Sequence, residues 1–61
     1  MNLRIGKNLW IRTSPSNVAE DLPWDAYILK GSQQNIWLWA DGITEEAAIF
    51  SVLKKWEQEN N

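Results

Sequence analysis

The run Asn35-Ile36-Trp37-Leu38-Trp39-Ala40 is apolar at every position after the first, and it restricts the fold more than any other segment. Six residues rich in strand formers are too short for an independent helix and read as a β-strand. Alternation puts Trp37 and Trp39 on one side of that strand and Ile36, Leu38 and Ala40 on the other. Both sides are apolar, the pattern of a strand covered on two faces. A chain of 61 residues has little material for two covering layers.

The segment after this strand reads as a helix. Asp41-Gly42 is a turn signal, Thr44 is a good N-cap, and Glu45 and Glu46 fall in the first turn, where the helix dipole favours them. Ile43 and Ala48 occupy the positions of a weak hydrophobic staple. Ile49, Val52, Leu53 and Trp56 have the i, i+3, i+4, i+7 spacing of a buried stripe. The spacing predicts a helix over 44–58, with a frayed tail over 58–61. Phe50 lies about 100° from the centre of the stripe, at the rim of the core, where it packs or offers a secondary contact.

Upstream, Pro23 opens the run Trp24 to Lys30, a second strand candidate, and Gly31-Ser32-Gln33-Gln34 reads as a hairpin loop. A first strand is expected from about Leu3 to Thr13, with a bend or bulge at Gly6-Lys7. Residues 13–22 form a polar connection, with Pro15 and Pro23 excluding regular pairing nearby. The expected architecture is α+β: one domain over 1–61, a three-stranded antiparallel meander (β-β-β-α) with one C-terminal helix across a face. Three six-residue strands make a patch of about 20 by 14 Å, and a helix is about 10–12 Å wide. One helix covers one face and leaves the other.

Two registers are open. A three- or five-residue hairpin loop puts Leu9, Ile11, Ala26, Ile28, Ile36 and Leu38 under the helix. Trp10, Arg12, Tyr27, Leu29, Trp37 and Trp39 then form the uncovered, partner-binding face. A two- or four-residue loop pairs Ile28 with Trp37 and exchanges the faces of the third strand. In a further arrangement the helix lies on Trp37 and Trp39 themselves, and Ile36 and Leu38 face outward. Trp24 and Trp56 belong to the fold in each case. Large exposed apolar patches are uncommon on monomers, and Trp, Tyr and Arg dominate interface hot spots.

The missing residue types exclude much chemistry. With no Cys and no His, neither a disulfide nor a usual zinc or haem site is available, and the common acid–base and nucleophile pairs are absent. Ser14, Ser16, Ser32 and Ser51 have no evident activating partner. Glu20, Asp21 and Asp25 lack the spacing of a calcium loop and read as a solvated acidic loop. Gly6, Gly31 and Gly42 are too scattered for a phosphate-cradling loop. No catalytic residue, cofactor or metal is expected, and the chain reads as a non-enzyme. No segment reaches the ~20 apolar residues of a membrane span, and a cytoplasmic location is expected.

Net charge is −2, but its distribution is uneven. Residues 1–12 carry Arg4, Lys7 and Arg12 with no acid, whereas 41–61 carry Asp41, Glu45, Glu46, Glu57 and Glu59 against Lys54 and Lys55. The element order, with Trp10 and Arg12 early and Gly42-Ile43-Thr44-Glu45-Glu46-Ala47-Ala48 opening the helix, superficially resembles two sheet-reading DNA-binding classes. They are the arm-binding domains of tyrosine recombinases and the sheet-reading DNA-binding domains of the plant apetala type. Those place dense Arg and Lys on the sheet, where this chain has only Arg4, Lys7, Arg12 and Lys30. Two functions are thus expected in order. The first is a protein-interaction module, as a homodimer, adaptor or inhibitor whose partner is another protein or a second copy. The alternative is nucleic-acid binding, with aromatics stacking on bases and Arg4, Lys7 and Arg12 on phosphates.

Overall fold

The computed structural model describes residues 1–16 and 21–59. Four strands, β1 (Asn2–Gly6), β2 (Leu9–Pro15), β3 (Trp24–Lys30) and β4 (Asn35–Gly42), precede one helix, α1 (Glu45–Glu59). The strands form one antiparallel sheet in the order β1-β2-β3-β4. The class is α+β with a C-terminal helix, as expected, but the sheet has four strands and not three.

The extra strand arises where a single bent one was expected. Lys7-Asn8 closes a hairpin that pairs Gly6 with Leu9, Arg4 with Trp10 and Asn2 with Arg12. Asn8 has φ of 55°, in the left-handed region that asparagine enters more readily than most residues. A register shift between Arg4 and Gly6 completes the bend. Strand β2 also runs further than expected, since Thr13, Ser14 and Pro15 pair with Ala26, Asp25 and Trp24. Pro15 is the last residue of β2, where a missing N–H interrupts nothing beyond it. Residues 16, 21 and 22 of the polar connection lie outside the strands, and its residues 17–20 lie outside the described residues, as do 60 and 61 of the expected tail; Gln58 and Glu59 belong to α1.

A four-residue turn, Gly31 to Gln34, joins β3 to β4 between the paired Lys30 and Asn35. Gly31 has φ of 87°, and the Gln34 N–H donates to the Gly31 carbonyl at 3.0 Å. Such a turn alone would set Ile28 opposite Trp37. Instead Leu29 pairs with Ile36 and Ile28 with Leu38, so Trp37 is an extra residue in β4. This bulge restores the register of an odd-length loop for the rest of the strand, and Tyr27 pairs with Trp39.

Helix α1 begins as its sequence dictates. Thr44 Oγ1 accepts the Ala47 N–H at 3.0 Å, and the Thr44 carbonyl accepts the Ala48 N–H at 3.0 Å. Ile43 is 67% exposed, so the staple does not close. Ala48 and Val52 are buried against Ile11, Ala26, Ile28 and Ala40, with Ile49, Leu53 and Trp56 packed around them. Full burial of side chains such as Ile11, Ile28 and Val52 stabilises by roughly 1.5–3 kcal/mol each. Gly42 permits the close approach: a Cβ there would lie 2.4 Å from the Ala48 nitrogen. The buried Thr13 hydroxyl donates to Glu45 Oε2 at 2.8 Å, joining β2 to the first turn of the helix. Helix α1 lies mainly on β4 and β3, reaches β2 less, and does not contact β1.

Candidate interaction face

The registers define what the helix leaves uncovered. Alternation from the buried Ile11, Ile28 and Ala40 puts Trp10 and Arg12 of β2, Tyr27 and Leu29 of β3, and Trp39 of β4 on the opposite side. Five of the six residues expected on this face are therefore brought together. The sixth, Trp37, is not. Its extra position in the bulge leaves it beside Leu38 on the helix side, half-buried against the core. Ile36 moves the other way: it pairs with Leu29 and stands 63% exposed on the uncovered face rather than under the helix. Nothing in the local sequence marks this exchange, because Ile36 and Trp37 satisfy either side equally well.

The face is not uniformly accessible. Trp39 is 53% exposed, whereas Leu29 is 1% exposed between its cross-strand neighbours Trp10 and Ile36. Arg12 Nη2 donates to Gln34 Oε1 at 3.2 Å, a bond running from β2 toward the β3–β4 turn on the side that carries Leu29. Leu29 thus supports the face from beneath, and the groups that reach solvent are Trp39, Ile36, Arg12 and the outer parts of Trp10 and Tyr27. Lys55 fixes Trp39 in place. Its Nζ donates to the Trp39 carbonyl at 2.8 Å and stands 5.4 Å from the indole centroid. The sequence gives no hint of this, since Lys55 reads there only as a charge near the end of the helix.

Charge is divided across the face. Arg4 and Arg12 lie on the β1–β2 side, while Asp25 and Asp41 are cross-strand partners on β3 and β4. The Tyr27 hydroxyl donates to Asp25 Oδ2 at 3.3 Å. Burial, followed by the nearby Asp25 carboxylate, raises the Tyr27 pKa above its ordinary 10.0; a hydrogen bond with Ser14 partly opposes this. Of the three cations expected on phosphates, Arg4 and Arg12 share this face and Lys7 sits in the β1–β2 turn. Phe50 is 63% exposed on α1, with Lys54 Nζ 5.4 Å from its ring, and so projects beyond the rim of the core.

Among the described residues, no group of three or more acidic side chains is placed to hold a metal ion; Glu20 of the expected acidic loop lies outside them. Among those residues, too, no helix is long and apolar enough to cross a membrane. No protein-family model matches this chain, and comparison with curated proteins and with solved structures also finds no match.

Proposed function

We propose that this chain is a small non-catalytic protein-interaction module that docks the uncovered sheet face on another protein, a second copy being the simplest partner. One observation carries the reading: Trp39 and Ile36 stand 53% and 63% exposed, side by side on the one face that α1 does not cover. A domain this small gains stability by burying its aromatics, and a monomer seldom leaves such a patch open without a use for it.

The layout of the face allows self-association. A two-fold axis parallel to the strands lays β1–β2 of one copy over β3–β4 of the other and keeps the cross-strand rows aligned. Arg12 then meets the Tyr27–Trp39 row, about 7 Å along the strands from Asp25 and Asp41, while Arg4 falls over Leu29 and Ile36. The flat area of four strands about six residues long is roughly 400 Å², half of the ~800 Å² per partner of a standard interface. Association through this face alone is therefore weak and concentration-dependent.

Sedimentation of the pure protein over a range of concentrations tests the reading. The expected result is a reversible dimer that Trp39→Ala abolishes while circular dichroism stays unchanged. A protein that stays monomeric at high concentration and also retains no partner from a lysate refutes it. The nucleic-acid alternative draws support from Arg4, Trp10 and Arg12 as neighbours on the same face. It requires a tryptophan fluorescence change on adding oligonucleotides that weakens steeply with salt; Asp25 and Asp41 on that face oppose it.

A further inference from the structure

On the helix side, at the end of the sheet away from Gly42, the two hairpin turns and Trp56 of α1 border an open cleft of about 440 Å³. Its walls are Leu9, Trp37 and Trp56, and Lys7 and Lys30 stand among its lining residues. The volume falls in the range of small-molecule sites, about 300–1,000 Å³. Trp37 is directed here by the bulge in β4, so this cleft is separate from the face that carries Trp39.

The geometry points to a binding site for a small aromatic carboxylate, with the ring against Leu9 and the tryptophans and the carboxylate between Lys7 and Lys30. Three features support this occupant. Among the described residues no acidic side chain lines the cleft and neither lysine has an ion pair, so the two ammonium groups leave the cleft positively charged there. Lys30 Nζ stands 4.4 Å from the Trp37 ring centroid, which holds one ammonium at the wall while leaving its N–H donors for an anion. The mouth is also braced: the Gly31 N–H donates to the Asn8 carbonyl at 2.9 Å, tying the β1–β2 turn to the β3–β4 turn. Ordering the two turns in advance lowers the entropy lost on binding. A nucleobase fits less well, because its edges need several neutral donors and acceptors, and among the described lining side chains Asn8 alone offers a neutral acceptor.

Titration of the isotopically labelled full chain with indoleacetate, followed by amide and indole N–H shifts, tests the site. The expected result is saturable movement of Lys7 to Leu9, Lys30, Gly31 and the Trp37 and Trp56 indoles. Lys7→Gln and Lys30→Gln should each bind indoleacetate about fivefold more weakly, the scale of one solvent-exposed ion pair, and the uncharged isostere indoleacetamide, which forfeits both pairs, should bind about 25-fold more weakly. Both lysines are exposed, so these variants keep the fold. Equal affinity for the amide overturns the proposal. So do shifts centred on Trp39 and Ile36, absence of saturation, or tighter binding of adenosine monophosphate at the same residues.

Discussion

Trp37 and Trp39 are two residues apart in β4 and lie on opposite sides of the sheet, because Trp37 is the unpaired residue of a bulge and Trp39 is the cross-strand partner of Tyr27. Their substitutions should therefore separate stability from association. Replacing a fully buried Trp by Ala costs about 3–5 kcal/mol, so the half-buried Trp37 should lose about 2 kcal/mol. Trp39→Ala should stay within roughly 0.5–1 kcal/mol of the parent, since surface changes seldom do more. Urea denaturation of both variants, beside their sedimentation, checks this; equal stability losses would contradict the assignment of faces.

Gly42→Ala should be the most damaging single-methyl change in the chain. A Cβ at this position meets the Ala48 nitrogen at 2.4 Å and the Ala47 carbonyl carbon at 2.8 Å, so α1 would have to lift from β4. Overpacking of this kind costs about 1–3 kcal/mol, much of the ~3–5 kcal/mol that a core of this size supplies. Gly31→Ala has no atom within 4 Å of its new methyl and suffers only its φ of 87°, a penalty of about 1 kcal/mol. Thermal unfolding should rank Gly42→Ala well below Gly31→Ala.

Thr44→Ala removes the side chain that accepts the Ala47 N–H. The expected loss is about 1 kcal/mol, or a melting temperature lower by roughly 4–8 °C in a domain of this length. Thr44→Ser should recover most of it, which a change in packing alone would not.

Tyr27 should titrate above 10.0, through burial first and the Asp25 carboxylate second. A phenol whose pKa is raised by folding contributes stability that is complete below its unfolded pKa. That contribution is lost as pH rises through the folded value, because the unfolded chain releases the proton first. Stability should therefore fall above pH 10. Asp25→Asn should bring the Tyr27 transition, followed by ultraviolet absorbance, part of the way back toward the ordinary value.

Although the staple at Ile43 and the fraying from Gln58 were not borne out, the existence and bounds of the helix were legible in the sequence to within a residue at each end. Thr44, the acidic pair and the Val52 stripe each speak for the same element. Local cues of that kind do not exist for register. The β1–β2 hairpin turns at Lys7-Asn8 without the Asn-Gly or Asp-Gly pair that usually marks such a turn, so Leu3 to Thr13 reads as one bent strand. In β4 the side of each residue depends on a bulge set by the four-residue turn and by packing of Trp37 against the core. A one-residue offset decides every face, and side-chain chemistry cannot report it where both sides are apolar. Five of the six residues read as a common surface do share one; that Leu29 lies beneath it depends on long-range neighbours alone.

Both irregularities of the sheet fall in its outermost strands, β1 and β4. An outermost strand presents a row of free N–H and C=O groups that can template a strand from another chain, a route to fibrils for any chain rich in alternating aromatics. Here each row is broken by a bulge, and on β4 the Trp39 carbonyl is already taken by Lys55. The same offset that sends Trp37 inward thus makes β4 a poor seed for sheet growth. A protein that keeps Trp39 and Ile36 in solvent can then meet other molecules broadside without polymerising edge to edge.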